Sequence, residues 1–275
     1  MSDPGGADGE GERVAKVIAR AGLCSRREAE AWIEARRVAL DGMVLSTPAV
    51  RVRPGQRLTV DGKPVPAAEP TRLFRYHKPK GLLTAARDPE GRSTIYDALP
   101  EGLPRLMPIG RLDINSEGLL LLTNDGALKR RLELPSTGWL RRYRVRAFGE
   151  VDDRRLRALA QGVTVDGVAY GPIEAKLERM QGDNAWLAVA LREGKNREVR
   201  RVLEHAGLKV NRLIRLAYGP FQLGSLPKRS VEEVSPKVLR EQVGALLTLT
   251  PRARPAQAPK PAQAPKPAQT SKPTR

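Results

Sequence analysis

Apolar residues in the first sixty positions recur first with helical and then with strand-like spacing. Between Val14 and Ala21 they fall at i, i+3, i+4 and i+7, which predicts one buried helical face. The segment 25–28, Ser-Arg-Arg-Glu, matches a capping box and predicts the start of a second helix. Short apolar segments within 38–60, separated by Asp-Gly and Pro-Gly turns, predict a small sheet. Residues 12–62 are therefore predicted to form a compact domain of two helices and a small sheet.

A proline-rich linker at 63–70 separates this domain from a longer region in which strand and helix patterns alternate. Four consecutive leucines at 119–122 predict a buried strand, and the alternation over 143–148 predicts another. Two further segments have helical periodicity, 154–160 and 197–206. We therefore expect an α+β chain whose second domain spans 71–247.

Both ends of the chain have compositions that cannot bury a core. Residues 1–11 are rich in glycine and acidic residues, and residues 248–275 repeat Pro-Ala-Gln-Ala-Pro-Lys. We predict that both ends are disordered, and that the basic tail makes at most loose electrostatic contact with RNA.

Positive charge narrows the class of partner. Lys and Arg total 49 against 31 Asp and Glu, a formal net charge of +18. The last 25 residues contribute six of these positive charges and no acid, so the first 250 residues retain +12. Such a surplus favours a polyanion, because each neutralised phosphate releases counterions. Nucleic acid is favoured over an anionic membrane, since no basic amphipathic helix with a broad apolar face is evident.

Cysteine and histidine counts make a metal site unexpected. The chain has one cysteine, Cys24, and two histidines, His77 and His205. It has no apolar run long enough to cross a bilayer and no apolar secretion signal near Met1. We expect a monomer that works in the reducing cytoplasm without a metal or other cofactor.

The absence of common catalytic motifs disfavours an NTPase, a serine hydrolase and a zinc enzyme. The chain lacks a GxxxxGK phosphate loop, a GxSxG elbow, an HExxH motif and a dinucleotide fingerprint. What remains is a loop dense in turn and polar residues at 108–118, which leads directly into the leucine strand. Asp113 in this loop is a candidate nucleophile or general base, because a carboxylate held before a buried strand is rigid and partly desolvated. From the residues alone, an aspartate that only bonds to nearby backbone amides is the alternative.

The N-terminal segment resembles a known RNA-binding module. Residues 12–62, with AGLCSRREAE and the V-x-L-D-G turn, are similar to the small alpha-L module shared by some ribosomal proteins and RNA-modifying enzymes. The resemblance implies that the two helices contact structured RNA through basic side chains, namely Lys16, Arg20, Arg26 and Arg27. A solvated arginine face is the alternative. Cys24 lies where a small packing residue is expected.

Four segments of the larger region resemble the pseudouridine synthase family. GRLDINSEGLLLLTNDG is similar to its catalytic signature, and HKPKGLLTAARDPEGRSTIYDALP to its opening strand and loop. RRYRVRAFGEV is similar to its tyrosine strand, and REGKNREVRRVLEHAGLKVNRLIRLAYGPFQLGSLP to its closing basic segment. Together they cover nearly all of 73–227 in the expected order. The resemblance implies a mixed α/β domain on a mostly antiparallel sheet, with the active-site cleft across the sheet.

The resemblance also implies a reaction and its principal residues. Uridine is isomerised: the base is detached from C1′, turned and reattached through carbon 5, without a cofactor. Asp113 corresponds to the essential aspartate, which attacks the sugar or assists glycal formation. Tyr143 corresponds to the tyrosine that packs against the base, and Arg200 to the basic residue that pairs with the aspartate. Arg201 is the alternative partner for Asp113.

Other residues are expected to hold the substrate. Arg111 would help to extrude the uridine or hold its phosphate. Four basic residues are candidate phosphate contacts, with surface charge as the alternative: Lys78, Lys80, Lys195 and Arg197. Leu213 lines the base pocket or packs in the core. His77 is expected to be structural and His205 a surface or cap residue.

One basic segment bears on which ribosomal RNA is the substrate. The segment 196–198 reads Asn-Arg-Glu and is followed by Arg200, and it lacks the Tyr-His-Gln and Lys associated with the small-subunit enzyme. We therefore expect a uridine of large-subunit 23S ribosomal RNA, in free RNA or an assembly intermediate. The alternatives are a small-subunit 16S synthase, a non-catalytic RNA-binding assembly factor that has kept the fold, and another RNA-modifying enzyme such as a methyltransferase. The last would need a glycine-rich cofactor loop, and none is evident.

Overall fold

The computed structural model of the chain describes residues 11–248. The two ends predicted to be disordered lie outside these residues, apart from positions 11 and 248. No helix within the described part is long and apolar enough to cross a membrane.

The N-terminal unit consists of two helices packed on a small sheet. The predicted capping box is present: the Ser25 hydroxyl accepts from the Glu28 amide at 3.1 Å, and the Ser25 amide donates to the Glu28 carboxylate at 2.8 Å. Cys24 is buried in the core, and this burial raises the pKa of its thiol to about 11, so it packs rather than reacts. The elements are β1 (Glu12–Arg13), α1 (Val14–Arg20), α2 (Arg26–Glu34), β2 (Val38–Leu40), β3 (Met43–Val44), β4 (Arg51–Val52), β5 (Leu58–Val60) and β6 (Lys63–Pro64). The sheet order is β3-β2-β5-β6, and β1 pairs with β4.

Within residues 11–248, nine strands form the large sheet, in the order β13-β14-β10-β15-β9-β7-β17, with β8 on β9 and β16 on β15. Neighbouring strands are antiparallel except β9 and β15. The strands are β7 (Leu73–Lys78), β8 (Met107–Ile109), β9 (Ser116–Thr123), β10 (Arg141–Phe148), β13 (Ile173–Gln181), β14 (Asn184–Leu191), β15 (Lys209–Tyr218), β16 (Phe221–Gln222) and β17 (Val231–Glu233). The hairpin β11 (Val163–Val165) and β12 (Val168–Tyr170) is separate. The helices are α3 (Gly126–Glu133), α4 (Asp153–Ala158), α5 (Glu198–His205) and α6 (Pro236–Thr248).

The leucine run is unbroken because β9 is buried on both faces. Leu119 and Leu121 pack on the same side as α3 and α6, whereas Leu120 and Leu122 pack under the loop that precedes β9. A strand covered on both sides needs apolar residues at successive positions rather than at alternate ones. The run therefore places β9 at the centre of the domain.

The parallel junction between β9 and β15 joins the two halves of the large sheet. It spans three residue pairs, Ser116 with Leu213, Glu117 with Ile214, and Gly118 with Arg215. Gly118 has φ +106°, and a Cβ added there would lie 2.3 Å from the carbonyl oxygen of Arg215 and 2.7 Å from its nitrogen. Only glycine allows this backbone approach.

The α+β class and the mostly antiparallel sheet predicted from the sequence are confirmed. Several elements had no individual prediction. They are the long hairpin of β13 and β14, the short β11–β12 hairpin, and the C-terminal helix α6.

Candidate active site

A cleft of about 770 Å³ opens on the face of the large sheet that carries α5. One wall is the loop before β9, with Arg111 and Asp113. The floor is formed by the ends of β10 and β15, with Tyr143, Leu213 and Arg215. The opposite wall is the segment 191–199, which leads into α5. The cleft therefore brings together segments that are far apart in the sequence.

Asp113 lies on a loop whose main chain is fixed by hydrogen bonds at residues 113–116. The carbonyl oxygens of the four successive residues 113–116 each accept a hydrogen bond, from Lys78, the Gly81 amide, Arg200 and again Lys78. The Asp113 side chain is 33% exposed. A fixed backbone with a partly exposed carboxylate is the arrangement that a nucleophile or base requires.

The structure corrects the expectation that Lys78 contacts phosphate. Its side chain is completely buried, and Nζ donates to the carbonyl oxygens of Pro79, Asp113 and Ser116 at 2.9–3.1 Å. Burial lowers the pKa of Lys78 to about 8, while the negative charges of Asp113 and Glu117 oppose this shift. Lys78 therefore positions the aspartate loop from within the domain.

The expected ion pair of Asp113 with Arg200 or Arg201 is also corrected. Among the described residues, the ion pair of the Asp113 carboxylate is with Arg197, whose Nη1 lies 3.9 Å from Oδ2. Arg200 is buried and donates instead to the carbonyl oxygens of Val210 and Asn115, both at 3.0 Å. Arg201 is exposed. Helix α5 begins only after Arg197, which has a left-handed backbone (φ 51°), so Arg197 and Arg200 leave the chain in different directions.

The surroundings of Arg200 shift its pKa. Burial lowers the pKa of the Arg200 guanidinium, repulsion from Arg197 acts in the same direction, and the Asp113 charge opposes both. Arg200 thus acts on Asp113 through the loop backbone and the electric field rather than through a direct bond.

Tyr143 and Leu213 form the apolar part of the cleft. Tyr143 is 9% exposed on β10, and Leu213 is 5% exposed on β15. Both line the cleft and both belong to the buried cluster between the sheet and α4 and α5. Leu213 therefore fulfils both alternatives: it lines the cleft and it packs in the core.

The other predicted basic contacts differ in their relation to the cleft. Arg111 is exposed and lines it beside Asp113. Lys195 also lines it, but its Nζ is bonded to Glu193 at 2.8 Å and to the Ala169 carbonyl at 2.6 Å. Lys80 is exposed and is absent from the cleft lining.

The basic side chains of the N-terminal helices are partly paired. Glu12 forms ion pairs with Lys16 at 2.5 Å and Arg20 at 3.9 Å. Arg26 and Arg27 are exposed in the first turn of α2. His77 and His205 lie where they were expected: Nδ1 of His77 is 2.7 Å from the Leu226 carbonyl oxygen, and His205 is exposed at the end of α5.

Sequence reasoning missed two buried charged residues in the cleft, Glu198 and Arg215. Glu198 is 4% exposed, its Oε2 accepts from the Lys195 amide at 2.8 Å, and burial raises the pKa of its carboxyl group. Arg215 is 3% exposed within β15. A charged residue inside the apolar run LIRLAY was the available signal, since such a residue is rarely buried without a purpose. Within residues 11–248, no three His, Cys, Asp or Glu side chains gather as a metal site would require.

Comparison with known proteins assigns the chain to a family. Residues 72–205 match the model of RNA pseudouridylate synthase, and residues 12–58 match the S4 domain. An uncharacterized RNA pseudouridine synthase of Rickettsia felis is 44% identical over 230 residues, which cover 84% of this chain and 100% of that protein. The chain belongs to the RNA pseudouridine synthase family. The resemblance of both segments, stated from the sequence, is thereby confirmed.

Two further proteins, one a curated relative and one a solved structure, are similar over most of the chain. Ribosomal large subunit pseudouridine synthase B of Escherichia coli (strain K12) is 44% identical over 218 residues, which cover 77% of this chain and 75% of that protein. A crystal structure of a pseudouridylate synthase superposes with a TM-score of 0.59 at 26% identity, covering 84% of this chain and 99% of that one. Both domains of the chain therefore have counterparts within the family.

Proposed function

We propose that this synthase converts a uridine of large-subunit (23S) ribosomal RNA into pseudouridine, in the cytoplasm and without a cofactor, with Asp113 as the catalytic carboxylate. One observation carries the proposal: Asp113 is a partly exposed carboxylate on a loop held by hydrogen bonds, in a cleft whose floor includes Tyr143 and Leu213 and whose rim is cationic.

The cleft suits a nucleotide taken out of its stack. The faces of Tyr143 and Leu213 offer an apolar surface to a flat base, and the exposed Arg111 and Arg197 offer positive charge to the ribose-phosphate backbone. Extruding a base costs a few kcal/mol, least from a loop or bulge, and phosphate contacts can offset this cost.

The reaction then requires a negative group beside C1′ of the bound uridine. The Asp113 carboxylate either attacks C1′ or assists glycal formation as the base departs. Arg197, at 3.9 Å, gives the carboxylate a positively charged partner before the substrate binds. Lys78 and Arg200 fix the position of the loop, because both donate hydrogen bonds to main-chain carbonyl groups of the loop.

The N-terminal S4 domain supplies affinity rather than chemistry. Arg26 and Arg27 extend from the first turn of α2 into solvent, and we expect them to contact phosphates of structured RNA, together with Lys16 and Arg20. Phosphate contacts fix the position of the enzyme on the RNA and account for most of the salt dependence of binding.

Two observations support large-subunit RNA and agree with each other. The basic segment around Arg197 departs from the small-subunit pattern, and several relatives that are 44% identical carry the name ribosomal large subunit pseudouridine synthase B. The tritium-release assay described next also distinguishes free RNA from an assembly intermediate as the substrate.

The test is release of tritium from carbon 5 of labelled uridine in large-subunit rRNA, with small-subunit rRNA as the matched substrate. The wild type and Glu101→Gln, which changes an exposed carboxylate in the loop before β8, should both release tritium from large-subunit RNA. Asp113→Asn, which keeps the shape but removes the charge, should release none while binding RNA with nearly unchanged affinity.

Each result has a definite meaning. Release from small-subunit RNA alone would refute the choice of substrate and leave the chemistry standing. Turnover by Asp113→Asn at the wild-type rate would refute the role of Asp113. A folded, RNA-binding wild type that releases no tritium from either RNA, free or partly assembled, would point to a non-catalytic assembly factor.

A further inference from the structure

Arg215 is a buried cation on the floor of the cleft. It lies on β15, directly opposite Tyr143 of β10 and two residues beyond Leu213, and all three line the cleft. Its exposed fraction is only 3%. A fully charged group is thus held at the point where a base would lie.

The guanidinium has few partners for a buried charge. Its Nε donates to the Leu119 carbonyl at 2.7 Å, and its carbon lies 5.2 Å from the centre of the Tyr218 ring. Its Nη2 is buried without a hydrogen-bond partner. Among the described residues, no carboxylate forms an ion pair with it, and the nearby Lys78 repels it.

Arg215 makes fewer hydrogen bonds than its basic neighbours, although the Nε of Arg200 is also buried without a partner. Arg212, also on β15, is paired with Glu117 at 2.5 Å, and buried Arg200 uses two carbonyl oxygens. Burying a charge costs several kcal/mol unless it is paired and bonded. A fold that keeps this cost at the centre of its cleft indicates that the negative partner arrives with the substrate.

We propose that Arg215 is a further catalytic residue, which donates hydrogen bonds to the uracil oxygens of the target uridine and stabilises the negative charge that the base acquires when it leaves C1′. This inference rests on the proposed function, since it requires a uridine bound beside Asp113.

The chemistry of the isomerisation creates such a charge. The C1′–N1 bond breaks and its electron pair stays on the uracil, where the charge spreads over N1, O2 and O4. At the sugar, C1′ forms an ester bond with the carboxylate or loses a proton from C2′ to give a glycal. Carbon 5 then bonds to C1′; at this step the ester bond to the carboxylate breaks, or, in the glycal route, C2′ regains its proton. Carbon 5 loses its proton and N1 gains one, so the product is an isomer of the substrate and the carboxylate is restored. A guanidinium has two nitrogens in a fork that can follow the oxygens as the base turns.

The location favours the base over a phosphate as the partner. A phosphate remains attached to the backbone at the rim, where Arg111 and Arg197 are exposed. Arg215 lies at the floor, opposite Tyr143 and bonded to the β9 backbone, away from the exposed rim where a backbone phosphate would be held. Donors that face a developing charge in a site without water are worth far more than in solution.

The test compares Arg215→Met with Arg146→Met in the full-length protein, using single-turnover tritium release, RNA affinity and thermal unfolding. Arg146 is the matched control because its Nε is also buried without a partner, but on the opposite face of β10 from Tyr143. Losing one donor to a developing negative charge typically lowers the rate by about 100-fold or more. We expect that loss for Arg215→Met, with RNA affinity within about twofold of the wild type and a melting temperature that is not lowered, because an unpaired buried charge has been removed.

Three results would overturn the inference. The first is an unchanged single-turnover rate. The second is weaker RNA binding with a salt slope reduced by about one phosphate, which would show a phosphate contact instead. The third is lost activity with a lowered melting temperature in Arg215→Met but full activity in Arg215→Lys, which would show that the residue only packs. An inactive wild type, or an active Asp113→Asn, would count against the proposed function and not against Arg215 in particular.

Discussion

Replacing Gly118 with alanine should damage both the stability and the catalytic step, because this residue allows β9 and β15 to meet. The added Cβ would lie 2.3 Å from the carbonyl oxygen of Arg215, whereas real contacts of this kind essentially never fall below 3.0 Å. The backbones would therefore have to separate by about 0.7 Å. The atoms in the way belong to the main chain, so no side-chain rotation can relieve the clash.

The size of the effect follows from two contributions. Holding alanine at φ +106° costs about 1–3 kcal/mol, and forcing packed strands apart costs about 1–3 kcal/mol more. The free energy of unfolding should fall by about 2–6 kcal/mol. The separation also moves Leu213 and Arg215 away from the Asp113 loop, and a misplacement of about 1 Å can cost about 100-fold in rate.

Urea unfolding and single-turnover tritium release measure the two effects separately. Gly55→Ala is the matched control: Gly55 has φ +91°, and a Cβ there would meet nothing within 4 Å, so this variant carries the backbone cost alone. Equal destabilisation in the two variants, together with an unchanged rate for Gly118→Ala, would refute the steric argument.

Two other substitutions test the support of the site and the S4 domain. Because burial lowers the pKa of Lys78 from 10.5 to about 8, the unfolded chain binds more protons than the folded one between these values, and stability should rise with pH across that window. The free energy of unfolding of the wild type relative to Lys78→Met should increase by about 3 kcal/mol between pH 7 and 10.5 in urea titrations, and a difference independent of pH would contradict this. Ser25→Ala removes the capping box of α2 and should cost about 1 kcal/mol in thermal unfolding, whereas Ser25→Gly should cost only a few tenths; equal melting temperatures for the wild type and Ser25→Ala would show that the cap contributes nothing.

Much of the fold was accessible from local patterns. The capping box at Ser25, the turns after β2 and β5, and the strands at 119–122 and 143–148 all depend on residues close together in the sequence, where backbone preferences act directly. The hairpin of β13 and β14 was not assigned individually, since its edge strand has mostly exposed residues and a charged sequence without strict alternation.

In the candidate site, Asp113 was predicted correctly as a cleft residue, whereas the contacts of the surrounding basic residues were not. Asp113 and Tyr143 are carried by motifs, but the direction of a basic side chain depends on how distant segments pack. Lys78 alternates with the buried Phe74 and Tyr76 on β7, but a lysine is rarely buried without partners, and these partners are the carbonyl groups of the folded loop 113–116. Similarly, Arg197 rather than Arg200 meets Asp113 because the left-handed turn at Arg197 comes before the helix.

The strand order has a consequence for when the enzyme can first act. Strand β7 pairs on one side with β9 and on the other with β17, and β17 lies at 231–233, after the whole segment 141–218 that forms the far half of the sheet. During synthesis, the edge of β7 therefore stays unpaired until residues 231–233 have emerged. Asp113 and Tyr143 belong to different halves, so neither a nascent chain nor either half alone holds a complete cleft. The cleft can be complete only once β15, which ends at Tyr218, has emerged and paired with both β9 and β10.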